Sequence, residues 1–350
     1  MRHFDWFLLS LTLIIVGVGI INLYSASQAF ALKQAYWLGL GVGALLLMVL
    51  IDYRHLRRYA YAVYFLCLLL LLAVLLVGRT GLGAQRWLDL LGLSLQPSEL
   101  MKLGLILALA RYFDEREGER DIKGLLLPFL LLIAPVLLVL KQPDLGTSVI
   151  LVLVFFSILF LVKVRLRVWV SLVSATVLAS PFSWFFLKEY QKLRIMSFLN
   201  PQADPLGAGY QSLQSKIAVG SGGVLGRGFL EGTQTRLRFL PQQKTDFIFS
   251  VQAEEWGFLG ALFLLSLYLL WISWGLGVSA RSRDRFGSMV AFGIVSVLTW
   301  QVIINVAMTV GLVPVVGVPL PFMSYGGSAL VTFLMATGLL INIHMRRFIY

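Results

Sequence analysis

Carboxylates, lysines and arginines are the groups with which this 350-residue chain can do acid–base or phosphate chemistry. It has three histidines, His3, His55 and His344, each near an arginine-bearing segment that reads as cytoplasmic or as a helix end on that side. The single cysteine, Cys67, lies in an apolar run, so neither an internal disulfide nor a cysteine-based metal site is available. Away from the basic segments a carboxylate must therefore supply any general base. The candidates are Asp89, Glu99, Asp144, Glu189, Asp204, Glu231, Asp246, Glu254 and Glu255. No Asp-x-Asp pair occurs, which weakens a nucleotide-sugar enzyme with a metal-held diphosphate.

Spacing narrows the choice. Asp246 stands in LPQQKTDFIF (240–249), between Lys244 and aromatic residues, a setting that tunes proton affinity. The plainer reading is a surface aspartate capping a helix. Glu99 and Lys102 are three apart and share one helix face. Charges inside a span are costly and usually meet a partner or an aqueous cavity, so the two read as a self-neutralising pair or as a cavity lining. In GAQRW (83–87), Arg86 adjoins Trp87, an aromatic of the type that anchors at the headgroup level. KQPDLGT (141–147) joins two apolar runs and holds Lys141 and Asp144, the latter also readable as a helix N-cap. GSGGVLGRG (220–228), near Lys216, lacks the Gly-Lys-Ser/Thr of a Walker loop, yet its glycine turns could approach a pyrophosphate. GLVPVVGVPLPFMSYGGS (311–328) carries no charge, and its prolines break regular helix. Such backbone at membrane depth must be buried in protein or line a cavity. It reads as a wall for a lipid substrate or as a structural re-entrant loop.

The elements that must position these residues are apolar. Hydrophobic residues make up 59% of the chain and charged ones 13%, against roughly 45–50% and about 25% in soluble domains. Spanning helices need about 20 apolar residues. Runs of that kind fall near 7–24, 35–51, 59–77, 98–112, 124–140, 147–162, 168–187, 257–278, 286–311 and 328–344, with Pro128 and Pro135 expected to kink the fifth. The first run follows Arg2 without a small-residue cleavage site and reads as a retained helix. With both termini cytoplasmic, the short inner segments hold 16 Lys and Arg and the short outer loops 4, the distribution that the positive-inside rule selects. The net charge of +12 is then a topology signal, and no nucleic-acid motif accompanies it. The expectation is an all-α integral membrane protein of ten transmembrane helices. It forms a single polytopic domain over 1–350, with a long outer-face loop, 188–256, between helices 7 and 8.

At these motifs the sequence resembles the SEDS family (shape, elongation, division and sporulation). The resembling blocks are GAQRW, QPSELMK (96–102), KQPDLGTS (141–148), NPQADPLGAGYQSLQSKIAVGSGGVLGRG (200–228), GTQ (232–234), LPQQKTDFIFSVQAEEWGFLG (240–260) and GLVPVVGVPLPFMSYGGS. They run in family order over nearly the whole chain, and the QSKIAVGSGG form and the GTQ favour the elongation branch over the division branch. Where the family usually reads LPExHTDF, this chain has Gln242 for Glu and Lys244 for His, while Asp246 is in place.

The resemblance implies a peptidoglycan glycosyltransferase of the bacterial inner (cytoplasmic) membrane, with its active site on the outer face. It would polymerise lipid II into a growing glycan strand for cell elongation, beside a class B penicillin-binding protein, other elongation machinery and membrane lipids. Asp246 matches the family's essential aspartate, and Arg86, Trp87, Glu99 and Lys102 match functionally important positions. On that implication Asp246 is the base, and Arg86, Lys102, Lys141 and Lys216 are candidates for the pyrophosphate. Asp144 joins them as a substrate-site residue. A divalent cation would suit the leaving group, although the sequence marks no metal site. A lipid II flippase and a non-catalytic scaffold are the competing readings; ten helices with an intramembrane charged pair suit a flippase, but no inverted repeat is visible.

Overall fold

The structure, a computed structural model, describes residues 4–347 except 82–83, 91–92, 117–122, 172–173, 175–176, 179–184, 186–188, 201–206 and 238. The chain begins with three long helices, α1 (Trp6–Ala26), α2 (Gln28–Leu50) and α3 (Tyr53–Val77). A small antiparallel sheet follows, in the order β1 (Arg79–Gly81), β2 (Ala84–Leu90), β3 (Leu93–Leu95). Next come α4 (Pro97–Glu115), α5 (Leu126–Lys141) and α6 (Leu145–Val162). The stretch 188–256 holds α7 (Glu189–Leu199), α8 (Ala208–Ser221) and the single turn α9 (Thr233–Arg236). Three helices complete the bundle: α10 (Ile248–Ala280), α11 (Arg285–Thr309) and α12 (Gly327–Arg346).

Seven of these helices, α1, α2, α3, α6, α10, α11 and α12, are long and apolar enough to cross a membrane, and α5 is a shorter apolar helix. Their packing is that of a protein in lipid. Leu66, Leu69, Leu76, Leu130, Leu137 and Leu269 face outward, while Thr12, Asn22, Gln252, Gln301, Asn305 and Asn342 are buried. Buried amides inside a span are tolerated only when bonded within the bundle. Asn22 accordingly donates to Gln252, and Asn342 donates to the carbonyls of Met48 and Val49 at 2.7 and 3.0 Å. Aspartates start four helices by accepting from first-turn amides: Asp5, Asp52, Asp144 and Asp284.

The structure corrects the sequence reading in several places. The fold is helical except for the sheet at 79–95, where the sequence predicts only an outer loop. Pro128 falls in the first turn of α5, where no intrahelical N–H is needed, and only Pro135 stands inside the helix. The seventh apolar run lies mostly outside the described residues, of which 166–171 are helical. The eighth helix begins at Ile248, nine residues before the apolar run, because its first two turns are polar yet buried against protein.

Gly257 interrupts α10 with φ +65°, and the glycine-rich 220–228 segment packs into that break. Arg227 and Gly228 donate to the carbonyls of Glu254 and Glu255 at 3.0 and 3.1 Å, and Phe258 and Leu259 donate back to Gly223 and Val224. A Cβ on Gly226 would stand 2.1 Å from the Glu255 carbonyl oxygen. These glycines permit backbone to lie on backbone. The Arg227 and Gly228 amides are spent on α10, and the Gly226 amide on the Gly222 carbonyl.

One end of the bundle gathers a set of polar contacts: Asp5 with Trp274, Asp52 with Arg346, Arg57 with Asp114, and Tyr53 with Asp284. The motifs singled out by spacing meet at the opposite end.

Candidate active site at the opposite end of the bundle

Asp246 sits half-buried just before α10, and helix α11 and the 311–328 segment hold the backbone around it. It does not cap that helix: the N-cap is Phe247, without a side-chain bond. Asn305, fully buried on α11, donates from Nδ2 to the Asp246 carbonyl at 2.8 Å and to the Val318 carbonyl at 2.7 Å. Ser324 donates to the Thr245 carbonyl, and the Tyr325 amide donates to Lys244 at 2.8 Å. Gln34 of α2 in turn holds the Ser324 carbonyl at 3.1 Å. The uncharged proline-rich segment 311–328 is therefore the clamp on the Asp246 loop. Its satisfied polar groups explain how irregular backbone survives inside the bundle.

Gly317 completes the clamp. Its φ is +75°, and a Cβ there would stand 3.4 Å from Asp246 Oδ2. Gly146, in the first turn of α6, lies 3.0 Å by the same measure from the Val316 and Gly317 carbonyls. Gly317→Ala should cost about 1–2 kcal/mol of backbone strain and push on the carboxylate. Misplacement near 1 Å costs on the order of 10²-fold in rate. Turnover should fall at least about tenfold with lipid affinity little changed, and parallel rate and binding measurements on the variant check this.

The electrostatics of Asp246 are those of a poised base. Burial pushes its carboxyl up to about 6; the Arg194 guanidinium, the Thr245 hydroxyl and Arg86 pull it back down, and Asp144 adds a little upward. Arg86 arrives on β2 and donates to the carbonyls of Gln142 (3.3 Å) and Pro143. Its Nη1 is 3.9 Å from Asp144 Oδ1. Asp144 is the N-cap of α6, accepting from the Thr147 amide at 3.2 Å and the Thr147 hydroxyl at 2.9 Å. Its Oδ2 also accepts from Gln96 Nε2 at 3.3 Å. Capping and site membership, alternatives in the sequence, coexist here.

The remaining predicted residues divide. Trp87 is partly buried in β2 beside Arg86, its strand register opposite Arg79. Glu99 and Lys102 pair at 2.7 Å, 3% and 2% exposed, with the ammonium 5.3 Å from the Phe333 ring centre. The pair is enclosed between α4 and α12, so Lys102 presents no free ammonium to a pyrophosphate here. Lys141 is exposed at the last residue of α5, and Lys216 is exposed on α8 with its side chain against Gly311. Among the described residues, neither lysine shares an ion pair with the Asp246 group. Lys244 points away, its Nζ 3.7 Å from the Phe30 ring centre, and Gln242 accepts from the Thr245 hydroxyl at 3.1 Å. Asp204 lies outside the described residues.

Sequence reasoning missed Gln34, Gln96, Arg194 and Asn305. An amide inside an apolar run, shared with Gln301, is the available signal for Asn305; Gln34 stands beside Lys33 just before the 35–51 run and carries none. Among the described residues no group of three or more His, Cys, Asp or Glu gathers closely enough to hold a metal. The described residues thus form no cage for a divalent cation.

The fold and site define the class as a multi-pass membrane bundle with a half-buried carboxylate and guanidinium charge gathered at one end. The model of the FtsW, RodA and SpoVE family, described as cell cycle protein, matches residues 3–348, and the chain belongs to that family. It is 42% identical over 352 residues to the peptidoglycan glycosyltransferase MrdB of Escherichia coli strain K12, covering 99% of this chain and 94% of that protein. A solved chain from work on the structural coordination of polymerization and crosslinking by a peptidoglycan synthase complex superposes with a TM-score of 0.89. It is 35% identical, with 100% of both chains covered. The crystal structure of the Thermus thermophilus rod shape determining protein RodA superposes at 0.75, with 32% identity over 99% of this chain and 98% of that one.

Proposed function

We infer that the chain is a peptidoglycan glycosyltransferase of the RodA type, joining lipid II disaccharides into β-1,4 glycan strands for cell elongation. It works with a class B penicillin-binding protein, as its likeness to a chain of a peptidoglycan synthase complex supports. The observation that carries the reading is Asp246, clamped by 311–328 and flanked by Arg86 and Arg194. In our reading the chain is one polytopic domain of ten spans in the bacterial inner membrane, with 188–256 and the site on the outer face. The 16-to-4 division of basic residues supports this orientation.

The donor in lipid II chemistry is α-linked to a polyprenyl pyrophosphate and the product is β-linked, so the anomeric carbon inverts. The acceptor 4-hydroxyl oxygen attacks that carbon as its bond to the pyrophosphate oxygen breaks. Asp246 takes the hydroxyl proton, and the pyrophosphate leaves with the bond's electron pair. Charge developing on it is met by the guanidinium groups of Arg86, preorganised by its bonds to the Gln142 and Pro143 carbonyls, and of Arg194, each worth more where water is excluded. Asp144 and Gln96 hold Arg86's neighbourhood in register. The apolar bundle flank accommodates the polyprenyl tail.

The test is glycan synthesis from lipid II by the purified chain with its partner, no other polymerase being present. Strands of β-1,4-linked disaccharides are expected. Movement of intact lipid II across the bilayer without polymer would instead make the chain a flippase, and inertness in both assays would make it a scaffold.

A further inference from the structure

In the stretch 188–256 polar residues point in and apolar ones out. Ser197, Ser215, Thr235 and Glu254 are buried, whereas Leu193, Leu213, Leu225 and Leu237 are exposed, Leu225 at 78%. The buried groups are bonded: Ser215 donates to the Thr309 carbonyl at 2.7 Å, and Glu254 accepts from the Gln234 and Thr235 amides at 2.7 and 3.1 Å. Glu254 thereby closes the turn α9 over itself, which accounts for the GTQ motif. An apolar outer surface of this kind marks a partner or a membrane. The hairpin 220–230 is the part whose depth the backbone fixes. The amides of Phe258 and Leu259 donate to the Gly223 and Val224 carbonyls at 2.9 and 3.1 Å. Val224 and Leu225 are therefore level with the start of the apolar run of α10. At about 1.5 Å per residue that run, 257–278, is long enough to cross a hydrocarbon core of about 30 Å. Phe258, Leu259, Leu262 and Phe263 on it face outward, so the hairpin tip continues a lipid-facing surface.

We propose that this hairpin is a lipid anchor: Val224 and Leu225 insert among the acyl chains of the leaflet at the Asp246 end, and Arg227 meets a phospholipid phosphate above them. Three observations carry this beyond exposure alone. First, backbone at the hydrocarbon edge must have its polar groups satisfied by protein. Here the Gly223 and Val224 carbonyls and the Arg227 and Gly228 amides are bonded to α10, and the Gly226 amide to the Gly222 carbonyl. Second, Arg227 is exposed, its Nε donates to the Ser221 carbonyl at 3.1 Å, and among the described residues no carboxylate pairs with it. Its outer N–H groups suit a phosphate, and its stem can lie along apolar surface. Third, Phe229 and Trp256 are both exposed with ring centres 6.3 Å apart, an aromatic pair of the type that gathers at the headgroup level. Continuity with the outward side of α10 favours lipid over a soluble protein as the occupant. The inference needs only the membrane bundle and not the polymerase reading.

The experiment measures depth. Leu225→Cys, Arg227→Cys and Glu231→Cys are each made in the full chain carrying Cys67→Ala, checked for helix content and monodisperse elution, and placed in nanodiscs of phosphatidylglycerol and phosphatidylcholine. Val224→Cys repeats the tip measurement, so that the result does not hang on one variant. The thiolate is the reactive form and is disfavoured in hydrocarbon, so a membrane-impermeant maleimide should label Leu225→Cys about tenfold or more slowly than Glu231→Cys. A membrane-permeant fluorophore on the same thiols should be quenched chiefly by acyl-chain nitroxides in Leu225→Cys, by headgroup nitroxides in Arg227→Cys and by aqueous iodide in Glu231→Cys. Equal maleimide and iodide access at 225 and 231 overturns the proposal. Acyl-chain quenching at 225 that vanishes when the class B penicillin-binding protein is added also overturns it, by giving the surface to a protein. No arm needs turnover, so a failure here leaves the polymerase reading standing, and failure of glycan synthesis leaves the depth result intact.

Discussion

Asp246→Asn should fold normally and lose glycan synthesis by about 10²–10⁴-fold, the usual cost of a missing general base. Asparagine is nearly isosteric, and the bonds that fix this residue run through its backbone carbonyl to Asn305 and through Thr245 and Lys244, not through its carboxylate. Lipid II binding should survive, because in the proposed reading Arg86 and Arg194, not Asp246, meet the pyrophosphate. The check is polymerisation and lipid binding measured in parallel on the same preparation. Near-normal polymer from Asp246→Asn would move the base to Asp144, the next carboxylate in the group.

The second large effect is on stability. Glu99 and Lys102 face each other at 2.7 Å with almost no solvent contact. Removing one partner of a buried pair leaves an uncompensated charge and costs about 3–5 kcal/mol, whereas replacing both by apolar residues is often neutral. Glu99→Leu and Lys102→Met should each lower folded yield and thermal midpoint, and the double variant should recover most of the loss. Glu99→Leu behaving like wild type in the same denaturation assay would contradict the enclosure seen between α4 and α12.

Much of the bundle was legible because spanning helices are written in long apolar runs, a signal that depends on no partner. The boundaries failed where polar residues are buried by protein. The first turns of α10, with Gln252, Glu254 and Glu255, read as loop because sequence cannot show that Asn22, Thr235 and Ser25 await them. The sheet at 79–95 escaped because two of its strands have three residues, too few for alternation to stand out from an apolar background. The 220–228 glycines were ambiguous in principle: an anion nest and a close backbone crossing both require the missing Cβ. Asp246, Arg86 and Asp144 stood out as charged residues in short motifs, and the family resemblance added weight to the first two, whereas Asn305 and Gln34, which hold the Asp246 loop and its clamp, carry no motif and act on backbone groups.

The central claim, that Asp246 accepts the acceptor's proton, is tested most directly by the pH dependence of kcat/KM for glycan synthesis. Only the carboxylate form is a base, and burial pushes the Asp246 carboxyl up to about 6. The rate should therefore be level above that pH and fall about tenfold per unit below it. The residual activity of Asp246→Asn should lack this acidic limb. An acidic limb of the same midpoint in Asp246→Asn, or a wild-type rate level from pH 5 to 8, would contradict the assignment.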